Sequence, residues 1–407
     1  MDVTNKPVFE GVRVIEFCRV LAGPACTKYL ADYGAEVIKV ETAANPDTIR
    51  SWSPYKDGVP GVNRSTTFAM FNTGKLSVTL DLTKPAAVAL AKRLVAKADV
   101  VVENYTPSVM KKWGLSYDDL KQVNPRLIML SVTPQGQTGP YSLQPALGIE
   151  LGASAGYLSF IGRPDREIIQ PFIAFPDIIA VCMGITAIVG ALLHRRRTGE
   201  GQYIDLSMLE ASLPTLGPSL LDAQANGREP QLMGNRSLYA APQGVYRCKG
   251  EDRWCAISVL NDGEWDGLVK AMGDPQWAAE SRFATMLDRK RNEDELDRNI
   301  ENWTTHHTAA EAMSLLQAHG VAAAAVQKGA DLAKDPQLEH RRAYELVEGH
   351  PEIGPHYTVA PAFVLSQSKY SLRAAPCLGQ DNEYVFTRIL GLSDEEFIEL
   401  IADEVIA

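Results

Sequence analysis

The chain has 407 residues, of which 45% are hydrophobic and 22% are charged, and this composition excludes disordered, collagen-like and coiled-coil proteins. The length favours two or three domains, each large enough to bury a hydrophobic core that needs no stabilising disulfide or metal. Forty Lys and Arg residues against fifty Asp and Glu give a net charge of −10. The overall field therefore disfavours nucleic acid and anionic lipid as partners, although a local basic pocket for a phosphate stays compatible with it.

Cysteine spacing and the N-terminus indicate an intracellular protein. The six cysteines lie far apart, with no Cys-x-x-Cys pair and no His at metal-ligand spacing, so we expect reduced thiols and no metal. The first residues contain no basic segment followed by an apolar one, so we expect no secretory signal and a cytoplasmic location. An apolar run at residues 178–193 is shorter than the roughly 20 residues that a bilayer requires. We interpret this run as a buried core helix and expect no membrane association.

Strand-like and helical segments alternate in the first part of the chain. Such alternation predicts an α/β fold with a doubly wound, mostly parallel sheet that helices cover on both faces. The predicted strands are residues 13–17, 36–41, 76–82, 100–103 and 127–132, and the predicted helices between them are residues 25–33 and 85–97, with helical turns through Leu120.

A change in the pattern of predicted secondary structure marks the predicted domain boundary. A stretch that contains Gly217-Pro218 and Asn226-Gly227 follows the apolar helix, and it is the best linker candidate because these residues favour turns. From about residue 240 the pattern changes to a hairpin, residues 244–248 with 254–259, and to charged helices, which is typical of an α+β domain. The expected domains are residues 1–225 for the first part of a large domain, 226–340 for a small domain with linkers, and 341–407 for a return to the large domain.

Common nucleotide and hydrolase motifs are missing from the sequence. The turn after the first strand, residues 18–24, has no Gly-x-Gly-x-x-Gly motif, and no P-loop, Gly-x-Ser-x-Gly or His-Glu-x-x-His motif occurs in the chain. These absences argue against a classical NAD enzyme, a P-loop enzyme, a serine hydrolase and a zincin.

Asp177 is the carboxylate with the strongest candidate role. It follows Pro176 and immediately precedes the apolar run, so the pattern predicts that it is the N-cap of a long buried helix. Capping alone would explain an aspartate at this position. The positive helix end would also hold the carboxylate ionised at a buried place where nucleophilic or basic chemistry becomes possible. One residue can serve both purposes.

Polar side chains lie near the ends of the early strands. Asn72 and Lys75 precede one strand, Asn104 follows another, and Lys111 and Lys112 come shortly after it. Ligands of open α/β sheets bind in the crevice outside the carboxyl ends of the strands, where lysines suit an anionic ligand. The alternative for each lysine is an ordinary solvated side chain.

Five segments of the chain resemble class III CoA-transferases, a family that includes formyl-CoA and carnitine CoA-transferases and α-methylacyl-CoA racemases. They are GVRVIEFCRVLAGPACTKYLADYGAEVIKVE at 11–41, FNTGKLSVTLDL at 71–82, DVVVENY at 99–105, RTGEGQYIDLSMLE at 197–210 and MGNRSLYAAPQGVYRC at 233–248. The resemblance implies a Rossmann-like, CoA-binding large domain made from both chain ends, a smaller middle domain, and an interlocked dimer of identical or related chains.

The same resemblance implies roles for individual residues. Family members have an aspartate before the long apolar helix, and Asp177 matches it within PFIAFPD at 171–177. This aspartate would form an aspartyl-CoA thioester during CoA transfer, with no tightly bound cofactor. Main-chain groups of Val20, Leu21 and Ala22 would line the thioester end. Residues expected around the CoA nucleotide and its phosphates are Asn72, Lys75, Asn104, Tyr105 and Lys112.

Departures from the family patterns narrow the expected substrates. Arg19 and Leu21 replace the His and Gln of the formyl-CoA enzyme, which argues against oxalate and formate as acceptors. The racemases carry a His-Asp pair where this chain reads ALGIE at 146–150, and a racemase needs a second acid/base on the opposite face of the α-carbon. Glu150 is either a supporting carboxylate or a charge at a helix start.

These observations favour a CoA-transferase that moves CoA from an acyl-CoA such as succinyl-CoA to a carboxylic acid. A hydrophobic or dicarboxylic acid, including an aromatic one such as benzylsuccinate, is the expected acceptor. An acyl-CoA racemase and a non-catalytic subunit of a heteromeric transferase are the alternatives.

Overall fold

The structure is a computed structural model that describes residues 6–163, 174–229 and 231–406. The chain divides into two compact units. The first unit contains the described residues within 1–157, 170–228 and 339–407, and the second contains those within 158–169 and 229–338. The first unit therefore uses both ends of the chain.

A six-stranded parallel sheet forms the centre of the first unit, in the order β3-β2-β1-β4-β5-β6. This order confirms the predicted doubly wound fold. Because the order reverses between β1 and β4, the crevice that takes ligands in such folds lies at the carboxyl ends of these two strands. The strands are β1 Arg13–Phe17, β2 Glu36–Glu41, β3 Leu76–Thr79, β4 Val100–Glu103, β5 Ile128–Thr133 and β6 Gln202–Ser207.

Helices connect and cover these strands. They are α1 Ala22–Asp32, α2 Thr66–Phe71, α3 Pro85–Ala96, α4 Val109–Lys112, α5 Tyr117–Val123, α6 Gly148–Ser154, α7 Phe175–Thr198, α8 Met208–Ser212 and α9 Gly217–Asn226. Apolar side chains fill both faces of the sheet, which explains why the strands contain apolar runs such as Val100-Val101-Val102 rather than alternating patterns.

The C-terminal segment completes one face of this core and protects the sheet edge. Phe386 and Ile406 pack into the apolar cluster that also contains Ile38 and Val78. Along the edge strand β3, the main-chain N–H of Ser77 donates to the Asp381 carboxylate at 2.8 Å, and that of Thr79 donates to the Asn382 amide oxygen at 2.9 Å. These side chains occupy hydrogen-bonding groups that would otherwise stay open at the edge.

Helix α7 is longer than the sequence predicted. It has 24 residues and is long and apolar enough to cross a membrane by length and composition alone, so the expectation of a run too short to span was wrong. In this fold α7 packs against α1, α8, β5 and β6. Its last turn is fixed to the sheet, because the Arg195 guanidinium donates to the main-chain oxygen of Asp99 at 3.1 Å and to its carboxylate at 2.7 Å. α7 is thus a helix of the α/β unit, but 33% of its most apolar stretch is buried, so the prediction of a buried core helix is met only in part.

The predicted linker is partly helical. Gly217-Pro218 begins α9 instead of ending regular structure, because a proline in the first helical turn loses no hydrogen bond there. The helix ends at Asn226 and is capped by Gly227, whose φ of +63° lies in the left-handed region that glycine adopts without strain.

The second unit has an antiparallel sheet in the order β7-β8-β9. The predicted hairpin is confirmed by β7 and β8, within one residue at each end. Trp265, Leu268 and Phe283 lie in the separate apolar core of this unit. Its elements are β7 Gln243–Arg247, β8 Trp254–Ser258, α10 Asp262–Ala271, α11 Met286–Arg291, α12 Glu293–Thr304, α13 Ala309–Ala318, β9 Ala322–Ala325 and α14 Gly329–Leu332.

Further helices and strands follow in the last part of the chain. The hairpin of β10 and β11 is antiparallel, and a π-helical segment precedes the final helix. The bounds are α15 Pro336–His340, β10 Tyr344–Val347, β11 His356–Val359, the π-helical segment Tyr384–Ile389 and α16 Asp394–Ala402.

Candidate active site

The loops after β1 and β4 are fastened to each other at the carboxyl edge of the sheet. The Asn104 side chain accepts a hydrogen bond from the Arg19 main-chain N–H at 2.8 Å and donates one to the Arg19 main-chain oxygen at 2.7 Å. Asn104 therefore fixes the loop after β1. Its expected contact with the CoA nucleotide stays a prediction.

The loop after β1 has an unusual backbone at Val20. This residue has a φ of +66°, which for a β-branched side chain is a strained conformation that costs on the order of 1–3 kcal/mol. The Val20 main-chain N–H donates to the Asp47 carboxylate at 2.8 Å. Leu21 is the N-cap residue of α1, and Ala22 is its first residue. Free N–H groups at such a helix start suit a negatively charged or polarised oxygen.

The Lys75 and Asn72 side chains, which were expected around the CoA nucleotide and its phosphates, are hydrogen-bonded inside the protein. The Lys75 ammonium donates to the Glu16 carboxylate at 2.7 Å, the Pro24 main-chain oxygen at 2.8 Å and the Asn72 amide oxygen at 2.8 Å, which uses its three donors. The Asn72 amide also donates to the Phe68 main-chain oxygen at 3.0 Å. Both side chains are buried, so neither is available to a CoA phosphate in this structure.

Lys75 belongs to a buried ionic network that the sequence analysis missed. Glu16 contacts Lys75 at 2.7 Å and Lys39 at 2.9 Å, and Lys39 contacts Asp47 at 2.9 Å. Burial opposes ionisation of Glu16, but the two ammonium groups and their hydrogen bonds outweigh it and lower the pKa of Glu16 to about 2. At Lys75 burial dominates and lowers the pKa to about 8. Asp47 and Glu16 together outweigh burial at Lys39 and raise its pKa.

Tyr105 and Lys112 have different surroundings beyond β4. The Tyr105 ring packs edge-on against Trp113, with 5.1 Å between the ring centroids. Burial raises the pKa of Tyr105 to about 12, so its phenol stays neutral at physiological pH. Lys112 is exposed at the end of α4. The expected contacts of both residues with CoA stay predictions.

Asp177 lies in the first turn of α7 but is not its N-cap. The helix begins at Phe175, and Ala174 is the N-cap, so the capping prediction was wrong. The preceding residues 171–173 of the matched segment lie outside the described residues. Burial raises the pKa of Asp177 to about 6, although its own main-chain N–H opposes this change. The carboxylate form still predominates at pH 7, as the sequence analysis expects, although burial makes it less favourable than in an ordinary aspartate.

The first turns of α1 and α7 lie at the same edge of the sheet. The α7 end that carries Arg195 contacts Asp99 at the amino end of β4, so α7 begins at the carboxyl edge, where α1 also begins after β1. The two helices pack together, with the Cys26 sulfur 3.6 Å from the Val181 main-chain oxygen. Ala22 and Asp177 each lie one turn before these contact residues. The fold thus brings Asp177 to the edge that carries residues 20–22.

Other groups in this region are less suited to nucleophilic chemistry. Cys18 and Cys26 are buried, and burial raises the pKa of both thiols, that of Cys26 to about 12. They therefore remain protonated. Over the described residues, no group of three or more His, Cys, Asp or Glu side chains is placed to hold a metal ion.

Glu150 occupies the start of α6. Its carboxylate accepts a hydrogen bond from the Leu147 main-chain N–H at 3.2 Å, as in a helix cap, and its side chain is exposed. This geometry accounts for the charge at the helix start. The alternative role as a supporting carboxylate stays a prediction.

Comparison with known proteins decides the family. Residues 9–382 match the model of CoA-transferase family III. The chain belongs to this family. The family that the sequence motifs indicated is thereby confirmed, and the chain is identified as a class III CoA-transferase.

Relatives and a solved structure cover nearly the whole chain. A succinyl-CoA–D-citramalate CoA-transferase of Chloroflexus aurantiacus is 33% identical over 98% of this chain and 98% of the relative. The beta subunit of a succinyl-CoA–L-malate CoA-transferase from the same organism is 33% identical over 100% of both chains. The crystal structure of a CaiB/BaiF family protein from Brucella suis matches with a TM-score of 0.86 and 31% identity, over 94% of this chain and 100% of the other.

Proposed function

We propose that this class III CoA-transferase moves CoA from succinyl-CoA to a dicarboxylic acid through covalent intermediates on Asp177. The position of Asp177 carries the proposal: a half-buried carboxylate in the first turn of α7, at the sheet edge that also carries residues 20–22. The names of the two Chloroflexus relatives, which give succinyl-CoA with citramalate or malate, support the substrate class.

The proposed reaction needs no external proton donor. The Asp177 carboxylate attacks the thioester carbonyl, the C–S bond breaks, and CoA thiolate leaves a mixed anhydride behind. The thiolate then attacks the Asp177 acyl carbon, which releases succinate and leaves an aspartyl-CoA thioester. The acceptor carboxylate attacks this thioester and again expels the thiolate. Finally, the thiolate attacks the acceptor carbonyl of the second anhydride, which releases the new acyl-CoA and restores the carboxylate.

The main chain at the start of α1 has a complementary role in this reaction. Each attack on a carbonyl carbon creates a negatively charged oxygen. N–H donors that are already fixed in position stabilise this oxygen without having to reorient during the reaction. The groups proposed to do this are the main-chain N–H groups at Leu21 and Ala22, which begin the helix. The hydrogen bond between Val20 and Asp47 already occupies the N–H of Val20.

The pKa of Asp177 predicts a pH dependence. Because only the ionised carboxylate attacks the thioester, we expect kcat to fall as the pH decreases through about 6. The check is an initial-rate profile at saturating acyl-CoA, with circular dichroism at each pH to follow the folded fraction. A midpoint at the ordinary aspartate value of 3.8 would contradict the raised pKa.

Lys112 offers a test of the proposed CoA phosphate contact. An exposed pairing of this kind is worth about 0.2–1 kcal/mol, so we expect Lys112→Ala to raise the KM for acyl-CoA roughly 1.5- to 5-fold at low salt and to leave kcat unchanged. The neighbouring exposed Lys111 supplies the matched control, Lys111→Ala. Equal effects of the two substitutions on KM would indicate long-range electrostatic attraction of acyl-CoA instead of a direct contact with Lys112.

The acceptor acid is identified by a CoA-exchange screen. Succinyl-CoA is incubated with the protein and with D-citramalate, L-malate or benzylsuccinate in turn, and the new CoA esters are separated by chromatography. We expect a new ester with at least one dicarboxylic acid. Deuterium uptake at the α-carbon of an acyl-CoA without any acceptor acid, together with no exchange, would favour the racemase alternative instead.

We further propose that the chain works as a dimer, either of two copies or with a related chain. The match to a beta subunit over the full length of both chains supports the second arrangement as well as the first. Native mass spectrometry of the protein, alone and co-expressed with a related chain, distinguishes them. If CoA exchange required the related chain and survived Asp177→Ala, this protein would be the non-catalytic subunit.

A further inference from the structure

The strained residue Val20 is held by a buried acidic side chain from another loop. One oxygen of the Asp47 carboxylate accepts hydrogen bonds from the main-chain N–H of Val20 at 2.8 Å and of Ile49 at 3.3 Å. The other oxygen accepts from the Lys39 ammonium at 2.9 Å. The side chains of Asp47 and Lys39 are both fully buried. The carboxylate therefore connects the loop after β1 with β2 and with the turn after it.

The loop after β1 is held at three successive residues. Lys39 donates to the Cys18 main-chain oxygen at 2.8 Å, Asn104 bonds both main-chain groups of Arg19, and Asp47 bonds Val20. A conformation as unfavourable as that of Val20 persists only when its surroundings fix it. These three side chains supply that restraint.

Asp47 is itself oriented from several sides. Its main-chain N–H donates to the Glu41 carboxylate at 3.1 Å, and Glu41 pairs with Arg50 at 2.7 Å. Lys39, its charged partner, is also bound to Glu16 at 2.9 Å. The Asp47 carboxylate therefore has little freedom to rotate away from Val20.

We propose that Asp47 is a positioning residue, which keeps Val20 in its left-handed conformation and so sets the start of α1 against the thioester. This inference rests on the proposed function, since residues 20–22 are taken to meet the acyl-CoA. Asp47 acts through Val20 and does not contact the substrate. Without it, Val20 relaxes to negative φ, and the main-chain donors that follow it turn away from the reacting carbonyl.

A double-mutant cycle tests the proposal in the full-length protein. A small misplacement of catalytic groups can cost on the order of 100-fold in rate, and we expect Asp47→Ala to lower kcat by about this factor with a smaller change in the KM for acyl-CoA. Glycine adopts positive φ without strain. In a Val20→Gly background, the same substitution is therefore expected to lower kcat less than about 10-fold. An equal loss in both backgrounds would overturn the proposal.

Two further variants separate positioning from a general loss of stability. Asp47→Asn keeps an oxygen that accepts from the Val20 N–H. We therefore expect its kcat to be at least roughly 10-fold higher than that of Asp47→Ala, because it avoids most of the rate loss that misplaced catalytic groups cause. Asp32 is also buried, and its carboxylate accepts hydrogen bonds from Lys28 and Thr73 instead of from the loop after β1. Asp32→Ala is expected to lower the melting temperature without lowering kcat per folded molecule. Equal kcat values for the Ala and Asn variants at position 47 would contradict the proposal.

Hydrogen exchange gives a readout that does not depend on transferase activity. We expect peptides that contain residues 18–21 to exchange faster in Asp47→Ala than in the wild type, and to be unchanged in Asp32→Ala. Unchanged exchange in Asp47→Ala would overturn the positioning role even if the wild type transfers CoA. If residues 18–21 exchanged faster in Asp47→Ala but the wild type transferred no CoA, the proposed function alone would be overturned.

Discussion

Replacing Asp177 by alanine is expected to abolish CoA exchange, with kcat lower by roughly 10⁴-fold or more, as for the loss of a covalent nucleophile in other enzymes. The nearby thiols of Cys18 and Cys26 are buried and protonated, so they offer no substitute. The measurement is the rate of CoA exchange from succinyl-CoA to the best acceptor acid. Retention of full activity would overturn the proposed mechanism.

The isosteric variant Asp177→Asn separates chemistry from folding. Because burial raises the pKa of Asp177 to about 6 from 3.8, this residue stabilises the fold most below pH 3.8, and the contribution is lost as the pH rises through about 6. Near pH 7 an uncharged amide avoids the cost of burying the charge. We therefore expect Asp177→Asn to lose activity as fully as Asp177→Ala while its melting temperature stays equal to or above that of the wild type.

Replacing Lys75 by methionine is expected to destabilise the protein by about 3–5 kcal/mol, the usual effect of removing one partner from a buried ion pair. The substitution leaves one Glu16 oxygen without its ammonium donor and removes the bonds to Pro24 and Asn72. Urea unfolding of the Lys75→Met variant measures the change.

The exposed Lys112 is the control for this prediction, since Lys112→Ala breaks no buried ion pair and is expected to leave the unfolding free energy unchanged. If Lys75→Met kept wild-type stability but bound acyl-CoA more weakly, Lys75 would have to leave the buried ionic network and bind acyl-CoA directly. That result would restore the contact that the sequence predicted.

The sheet was predictable because its strands are buried on both faces. The bounds of β1, β2 and β4 agree with the prediction to the residue. Short apolar runs flanked by turn residues leave little choice for where each strand begins and ends. The strand order, which locates the site between β1 and β4, depends on contacts between segments far apart in sequence.

The buried ionic network escaped prediction for a similar reason. Glu16 and Lys39 each interrupt an apolar strand, which was a signal for buried charge. Their pairing follows from the register of β1 on β2, where they are direct neighbours. Without that register, the sequence does not distinguish Lys75 from a surface lysine. No sequence feature indicates the proposed role of Asp47 at the loop after β1.

The error at Asp177 came from the helix start. The apolar run begins after the aspartate, at residue 178, but Phe175 and Pro176 already lie in the first turn of the helix. Proline is favoured in a first helical turn because its missing N–H would have no partner there. Pro176 could therefore have indicated an earlier start.

The most direct test of the account is to identify the covalent intermediate. The protein is mixed with succinyl-CoA, treated with hydroxylamine or borohydride, digested and analysed by peptide mass spectrometry. If Asp177 forms the aspartyl-CoA thioester, we expect a hydroxamate or a reduced side chain at Asp177, together with loss of activity. Continued turnover with unmodified Asp177, or modification of a different residue alone, would contradict it.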